Sequence, residues 1–417
     1  IAVTIRNEHI FHEPADLAAG SWWKRTREAT GFYWDLSKLR IAREARLREF
    51  NPELLTLVGA IGRRQARGEG MQYSMHIYRE IRWLLNFTPD TSAIRSRINA
   101  LRSSLTDTAG QRSATQQLPG DGSWGYGMNA WYLRLYYSVE DGVDMLAGQP
   151  RYRLAILDRI NSPVRLRAVL DSDLYDHFTQ TGVFNREELD ETFSAVARLL
   201  HKQNKTIYPF DPGLDSTLRS FVQGWQNPVS GCWGQWMVDR EGKVWKMDDM
   251  AMTFHVVSDF KGEVDHLDLI ARRVLQLDKV NFPTGIRFDG SYSNHLNWDV
   301  VKIFRYAWGC MDSATQAAAR KEINTMLDWC LKKSYQPDGS FQTSELDETV
   351  GDAYIYGVSF LKDAGYFSVK NRFWTNQDFP NAQTIRARIT GKIKSIGLND
   401  PQLRDAYKIL TESNSGY

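Results

Sequence analysis

Apolar residues return with helical period along most of the chain, as in SMHIYREIRWLLNF from Ser74, AWYLRLYYSVEDGVDML from Ala130, ELDETFSAVARLLHKQ from Glu188 and AARKEINTMLDWCLKK from Ala318. Such spacing gathers the bulky side chains on one face, so each run predicts an amphipathic helix that must pack on a neighbour. Strand-like alternation is nearly confined to Ile1 to Arg6 and to QWMVDREGKVWKM, where Glu241-Gly242 would turn a hairpin. Helix ends are expected at Gly148-Gln149-Pro150 and before Asn281-Phe282-Pro283, and Asp400-Pro401 is expected to open the last helix, because proline disfavours helix in the residue before it. The stretch from Ser103 to Gly122 is rich in Ser, Thr, Gln and Gly and reads as a long surface loop.

Four loops of one kind punctuate this pattern: GDGSWGYG around Gly122, NPVSGCWGQW around Gly231, FPTGIRFDGSYSNHLNW around Gly290 and YQPDGSF around Gly339. Each sets a glycine and an aromatic ring beside polar residues, and each leads into a helix-like stretch. Their spacings of roughly 109, 59 and 49 residues suit about two, one and one copies of a helix-pair unit. The expected fold class is therefore all-α: one (α/α) toroid or barrel domain of six or seven helical hairpins over residues 1–417, with a minor β-hairpin. Its site-forming loops would lie near 120–130, 225–255, 282–306 and 335–357, because loops held by a rigid scaffold commonly carry function.

A chain of 417 residues that is 42% hydrophobic and 12% aromatic can bury a large core. Lys plus Arg is 52 and Asp plus Glu is 50, so a net charge of +2 gives no signature of a nucleic-acid partner. Apolar runs such as LTLVGAIG near Leu57 fall short of the roughly 20 residues a bilayer span needs, and no membrane association is expected. Cys232, Cys310 and Cys330 are too few and too widely spaced for a zinc cluster or a disulfide scaffold, which leaves three thiols or one disulfide and a thiol. The opening IAVTIRNEHIF has neither a basic n-region nor an apolar h-region, so a signal peptide, if the protein has one, is not in this chain. Sequons at Asn86-Phe87-Thr88 and Asn204-Lys205-Thr206 give weak support to a secreted protein. No phosphate-binding Gly-x-x-x-x-Gly-Lys-Ser/Thr, zincin His-Glu-x-x-His or esterase Gly-x-Ser-x-Gly motif occurs.

The chemistry-bearing residues cluster at the loops. Trp225, Asn227, Trp233, Gln235 and Trp236 near Gly231, with Trp124 in the first loop, combine flat apolar faces with amide hydrogen-bonders, the surface a pyranose binds. The same tryptophans could equally fill the core. KMDDMAMTFHVVSDF puts Asp248, Asp249, Met252 and His255 on a helix, with Asp248, Met252 and His255 on roughly one face, where His255 is either a general base or a buried structural imidazole. Densest is GIRFDGSYSNHLNWD, with Arg287, Asp289, Tyr292, Asn294, His295, Asn297, Trp298 and Asp299, followed by Tyr306. An arginine for a carboxylate, a tyrosine and a histidine to move protons and an asparagine to steady an oxyanion are the parts for elimination across the C4–C5 bond of a uronic acid. The competing reading is a polar turn capped by Asn297 or Asp299 at a helix start. The last loop adds Asp338, Glu345, Glu348, Asp352, Tyr354 and Tyr356, whose carboxylates suit either a hydrolase pair or the solvated first turn of a helix. Glu345 and Asp347 fit the second of these, and Tyr354 is kept as a cavity residue.

The run Asp338-Gly339-Ser340-Phe341 followed by Asp352-Ala353-Tyr354-Ile355-Tyr356-Gly357 resembles the DGSF and GAYG elements of the toroid hyaluronate and chondroitin lyases. Ser293-Asn294-His295 is similar to the Asn-His element of toroid alginate lyases. Across Gly120 to Phe367 the chain most resembles polysaccharide lyase family 38, the (α/α)7-barrel lyases of glucuronan or mannuronan. It departs from the hyaluronate lyase pattern after DGSF, where Gln342-Thr343-Ser344 stands in place of a histidine. The resemblance implies Tyr292 as the proton-transferring tyrosine, His255 or His295 as its partner, and Arg287 with Asn294 as carboxylate neutralisers. The residues expected to form the substrate surface are Trp124, Asn227, Trp233, Gln235, Trp236, Asp249, Trp298, Tyr306 and Tyr354. A Tyr292 acting as both base and acid would need its pKa lowered by a cation such as Arg287 or a protonated histidine.

The resulting expectation is a polyuronate lyase that requires no metal or other cofactor, takes an acidic polysaccharide, and works outside the cell or in the periplasm. Its rivals are a toroid glycoside hydrolase with two carboxylates drawn from Asp248, Asp249, Asp289, Asp338 and Glu348, a terpenoid-cyclase-like toroid, and a non-catalytic sugar- or protein-binding toroid. No Asp-x-Asp-Asp motif supports the cyclase.

Overall fold

The computed structural model describes residues 33–412 except 66, 68, 88–90, 115, 126–127, 129, 137–149, 177–185, 202–207, 239–243, 247, 281, 283, 289 and 344–348. Outside the described residues lie the Ile1 to Arg6 strand, the Glu241-Gly242 turn, Gly148-Gln149, Asn281 and Pro283, Asp289, Glu345, Asp347 and Glu348, as well as the sequon residues Thr88 and Asn204 to Thr206.

The chain is mostly helical and divides into two compact units, one of Ile1–Leu57 with Met71–Asp248, the other of Val58–Gly70 with Asp249–Tyr417. Helix α1 (Tyr33–Gln65) contributes residues to both. The first unit continues with α2 (Gln72–Phe87), α3 (Thr91–Ser104), α4 (Thr108–Ser113), a helical turn at Trp131–Leu133, α5 (Pro163–Asp173), β1 (Tyr175–Asp176), α6 (Arg186–His201), α7 (Leu214–Trp225), β2 (Trp236–Val238) and β3 (Val244–Lys246). The second holds α8 (Met250–Asp259), α9 (Leu267–Gln276), α10 (Asn294–Ala307), α11 (Ser313–Trp329), α12 (Val350–Asp363), α13 (Ala382–Ile396) and α14 (Pro401–Thr411).

The expected hairpin is present: β2 and β3 pair antiparallel with Trp236 opposite Lys246 and Val238 opposite Val244. β1 joins it as a parallel neighbour, Tyr175 opposite Trp236. Asp400 caps α14 by accepting from the Leu403 N–H at 3.1 Å, with Pro401 in the first turn, as the sequence predicts. The Ser103–Gly122 stretch is not loop throughout. Asp107 accepts from the Gly110 N–H at 2.8 Å and opens α4, whose buried Gln111 receives the Tyr73 N–H at 2.9 Å and donates to Ser74 Oγ at 2.6 Å. A polar run became a helix because one glutamine spends its amide on the start of α2.

All four loop glycines take left-handed backbone, with φ of 74° at Gly122, 75° at Gly231, 78° at Gly290 and 91° at Gly339. At two of them close packing adds a second reason for glycine. A Cβ on Gly122 would lie 2.0 Å from the Arg153 carbonyl oxygen, and one on Gly339 would lie 2.6 Å from that of Arg388. The aspartates before them act alike. Asp121 Oδ1 accepts from the Ser123 N–H at 3.0 Å and hydroxyl at 2.7 Å, and Asp338 Oδ1 accepts from the Ser340 N–H at 3.0 Å and hydroxyl at 2.6 Å. Arg134 pairs with the first carboxylate and Lys392 with the second. The three cysteines are free thiols, Cys232 and Cys330 buried and Cys310 exposed.

Candidate functional site

In the second unit, α10 packs most closely on α12 and also against α8 and α9. Its start is set by Ser293, whose Oγ accepts from the Leu296 N–H at 3.2 Å. Asn297 and Asp299 therefore do not cap the helix; they lie inside it, buried. Here polar groups exceed their partners. Asn294 donates to Ser334 Oγ at 2.7 Å but leaves Oδ1 buried with no partner. Asn297, 1% exposed, leaves both its amide nitrogen and oxygen so. The same turn and the facing helix add His295 Nδ1 and the Tyr354 hydroxyl. A buried polar group without a partner costs about 1–3 kcal/mol, so a concentration of them calls for further polar partners here, whether water or a ligand.

His295 stacks on Tyr356 of α12, ring centroids 3.9 Å apart and planes 6° from parallel. Burial of its ring nitrogen, then the neighbouring His255, drives its pKa down to about 3, so it is a neutral imidazole across the working range of most enzymes. Trp298 lies beside it, its indole N–H donating to Asp363 at 2.8 Å, its ring edge-on to Phe254 at 5.4 Å and tilted against Tyr356 at 5.9 Å. Lys302 Nζ sits 5.1 Å above the Trp298 ring. His295, Trp298 and Lys302 all keep partial exposure, which makes this the open side of α10. Tyr354 is 1% exposed, edge-on to Phe341 at 5.7 Å, and burial raises its pKa.

The loop before α10 forms a second group. The Arg287 guanidinium lies 3.3 Å over the Tyr292 ring. Both residues converge on one oxygen of Glu322 on α11, the Tyr292 hydroxyl donating at 2.9 Å and Arg287 Nη2 at 3.3 Å. Arg287 Nη1 is buried and unpartnered. Burial and the Glu322 carboxylate raise the Tyr292 pKa, and Arg287 only partly opposes them. Arg287 thus pulls in the direction a dual-role tyrosine would need, and burial with Glu322, a residue 30 positions further on, outweighs it. Glu322 escaped the sequence reading because it lies among ordinary charged positions of a helix.

The other expected site residues fall elsewhere. Tyr306 is in the last turn of α10, roughly 18 Å along the helix from Asn294, with its ring against the turn at Gly262. Asp249 caps α8 by accepting from the Met252 N–H at 3.1 Å. Asp248 precedes that cap, so it does not share a helical face with His255; it accepts from Ser230 Oγ at 2.8 Å and Asn227 at 3.3 Å in the first unit. Asn227 also closes its own loop, accepting from the Val229 N–H at 3.0 Å. Trp124, Trp233 and Trp236 are 2%, 0% and 0% exposed, so these rings fill the core and offer no face to a sugar. Trp233 donates to the Val222 carbonyl at 2.9 Å, and Gln235 to that of Asp173 at 2.8 Å. Asp352 lies in the first turn of α12, accepting from its cap, Thr349.

A different concentration of buried charge occupies the first unit. Asp173, 7% exposed at the end of α5, has Oδ2 without a partner. Burial, then the charge of Glu188, raises its pKa to about 7. Burial also lifts Glu191 well above the carboxylate range, its Oε2 unpartnered, while Arg186 pairs with Glu187 and Asp190. The sequence signal was an aspartate in the apolar-flanked run AVLDSDLY.

Among the described residues no group of three or more His, Cys, Asp or Glu side chains is arranged to hold a metal ion, and no helix is long and apolar enough to cross a membrane. Comparison of the chain with protein-family models, with curated proteins and with solved structures finds no match in any of the three.

Proposed function

We propose that this chain is a polysaccharide lyase that cleaves a β-1,4-linked polyuronate, glucuronan or mannuronan, by β-elimination, on helices that close into an (α/α) toroid. One observation carries the reading: the buried, partnerless amide oxygen of Asn294 and the whole side-chain amide of Asn297 stand on the same helical turns as an imidazole held neutral. A polar, hydroxyl-rich ligand would satisfy those groups, and a neutral imidazole is ready to accept a proton.

In this mechanism Arg287 and Asn294 neutralise the substrate carboxylate, which acidifies the C5 proton. His295 takes that proton, the C5–H electron pair becomes the C4–C5 double bond, and the C4–O4 bond breaks. Tyr292 gives its phenolic proton to the departing O4, an alkoxide basic enough to take it. Trp298 and Tyr356 form the aromatic wall. The product is an unsaturated uronate, and the enzyme regains its starting state by returning one proton from His295 and taking up one at Tyr292.

The test is ultraviolet absorbance of the unsaturated uronate during incubation with glucuronan, polymannuronate and hyaluronan. A rise is expected that His295→Gln and Tyr292→Phe each abolish. Absence of any rise, with reducing ends released from a neutral glycan, would move the proposal to its rival, a glycoside hydrolase. That rival now finds its support in Asp173 and Glu188, since Asp173 holds its proton near neutrality as a general acid must. Of the carboxylates first considered for it, the three that are described are otherwise engaged: Asp248 within its loop, Asp249 as a helix cap and Asp338 with Ser340 and Lys392.

A further inference from the structure

We infer that Glu322 is a positioning residue, which by accepting from both Tyr292 and Arg287 fixes the phenol as a proton donor and withholds it from acting as the base. This deepens the lyase reading and takes its mechanistic meaning from it. The geometry itself is independent of that reading.

The argument begins with one carboxylate oxygen shared by two donors, the Tyr292 hydroxyl at 2.9 Å and Arg287 Nη2 at 3.3 Å. Both partners of the Arg287–Glu322 pair are largely buried, with side chains 10% and 12% exposed, so solvent screens the arrangement weakly. For Tyr292 to serve as base it must first lose its proton beside Glu322. Two anions would then meet across a hydrogen-bond distance with one guanidinium to balance them. The other groups around the phenol do not change this sum: Asp278 adds negative charge, and the Trp329 ring, 6.3 Å away, is apolar. Arg287 lies over the ring face, so its charge reaches the phenol oxygen less directly than the carboxylate to which that oxygen is bonded. Tyr292 as both base and acid is therefore disfavoured by the residue that holds it in place. The base falls to the neutral histidine on α10.

The test uses the full chain labelled with [ζ-13C]tyrosine, the Tyr292 resonance being assigned by its disappearance in Tyr292→Phe. Titration from pH 7 to 10.5 should leave that resonance unmoved in the wild type. In Glu322→Gln it should begin to move within this range, a gain of at least about tenfold in ionisation constant. Glu322→Asp, which keeps the charge, should stay closer to the wild type, and circular dichroism checks that each variant is folded. A wild-type Tyr292 that ionises like a free tyrosine, or a resonance that Glu322→Gln leaves unmoved, would overturn the inference. Should Glu322→Gln not fold, Glu322→Met carries the same comparison, since it too removes the charge, and a wild-type Tyr292 that ionises like a free tyrosine still decides against the inference. Turnover assays enter separately: in an active lyase, Glu322→Gln should change the alkaline limb of the kcat/KM profile, whereas an inactive chain defeats the lyase reading and leaves the tyrosine result standing.

Discussion

The two units bury polar side chains in opposite ways. In the first unit the unpartnered groups include two carboxylates, Asp173 and Glu191, and burial forces them to keep their protons. In the second they include the amide oxygen of Asn294, both amide atoms of Asn297 and an imidazole that burial forces to give its proton up. The same desolvation thus leaves one region holding acid and the other holding base. The difference also sets opposite pH dependences. The Asp173 carboxyl has a folded pKa raised to about 7, so it costs stability progressively as pH rises from about 4 to 7 while the unfolded chain ionises first. His295 has a folded pKa lowered to about 3, so its burial costs stability as pH falls below about 6.5, when the unfolded chain takes up the proton first.

The strongest way to break this contrast is His295→Gln, which removes the proposed base and should lower elimination by about 10²–10⁴-fold. Absorbance of the unsaturated product reads it, and a smaller loss would shift the role to His255. Wild-type activity should also show no acid limb from His295 above about pH 4. Next in size, Asp173→Asn should stabilise the protein at pH 8 by up to about 4 kcal/mol and have little effect at pH 4, measured as the urea midpoint at each pH. An equal effect at both pH values would mean that the carboxyl is not held neutral. Asn297→Leu should stabilise by about 1–2 kcal/mol while weakening substrate binding, because it replaces two unsatisfied polar atoms with apolar volume. If it destabilises instead, those atoms are satisfied by bound water. Smallest is Gly290→Ala, about 1–2 kcal/mol from left-handed backbone alone, since a Cβ there meets nothing within 4 Å. Gly122→Ala, with a carbonyl in the way, should cost more, and thermal unfolding of the pair tests that ordering.

Local rules made much of the fold legible. Helical period found α2, α6 and α11, alternation found the β2–β3 pair, and the Asp-Pro step found α14. The four loop glycines were legible as a recurring composition, and they share a left-handed backbone. What local rules could not reach were choices made at a distance. Whether Trp233 faces a sugar or the core depends on what packs over it, and nothing in NPVSGCWGQW records that. Glu322 is one charged residue among many in its helix until Tyr292 and Arg287 are brought to it. Ser293 outcompeted Asn297 and Asp299 as the cap of α10 because it sits one residue before the helical turn and its hydroxyl reaches the Leu296 N–H. The candidate site was legible as a composition around Arg287 to Trp298, and its division into an Arg–Tyr–Glu group and an Asn–His group was not.

Of the three thiols, only Cys310 is exposed, and it stands in the 3-10 turn of Trp308–Cys310 that directly follows α10. Cys232 is fully buried, and burial also raises the pKa of Cys330, which makes its thiol a poor nucleophile. The natural chain is therefore ready for selective maleimide chemistry without any cysteine being removed. A fluorophore or spin label attached there would report from one end of the helix whose other end carries Asn294 and His295, so ligand screening could proceed by spectroscopy on the unmutated protein before any substrate is known.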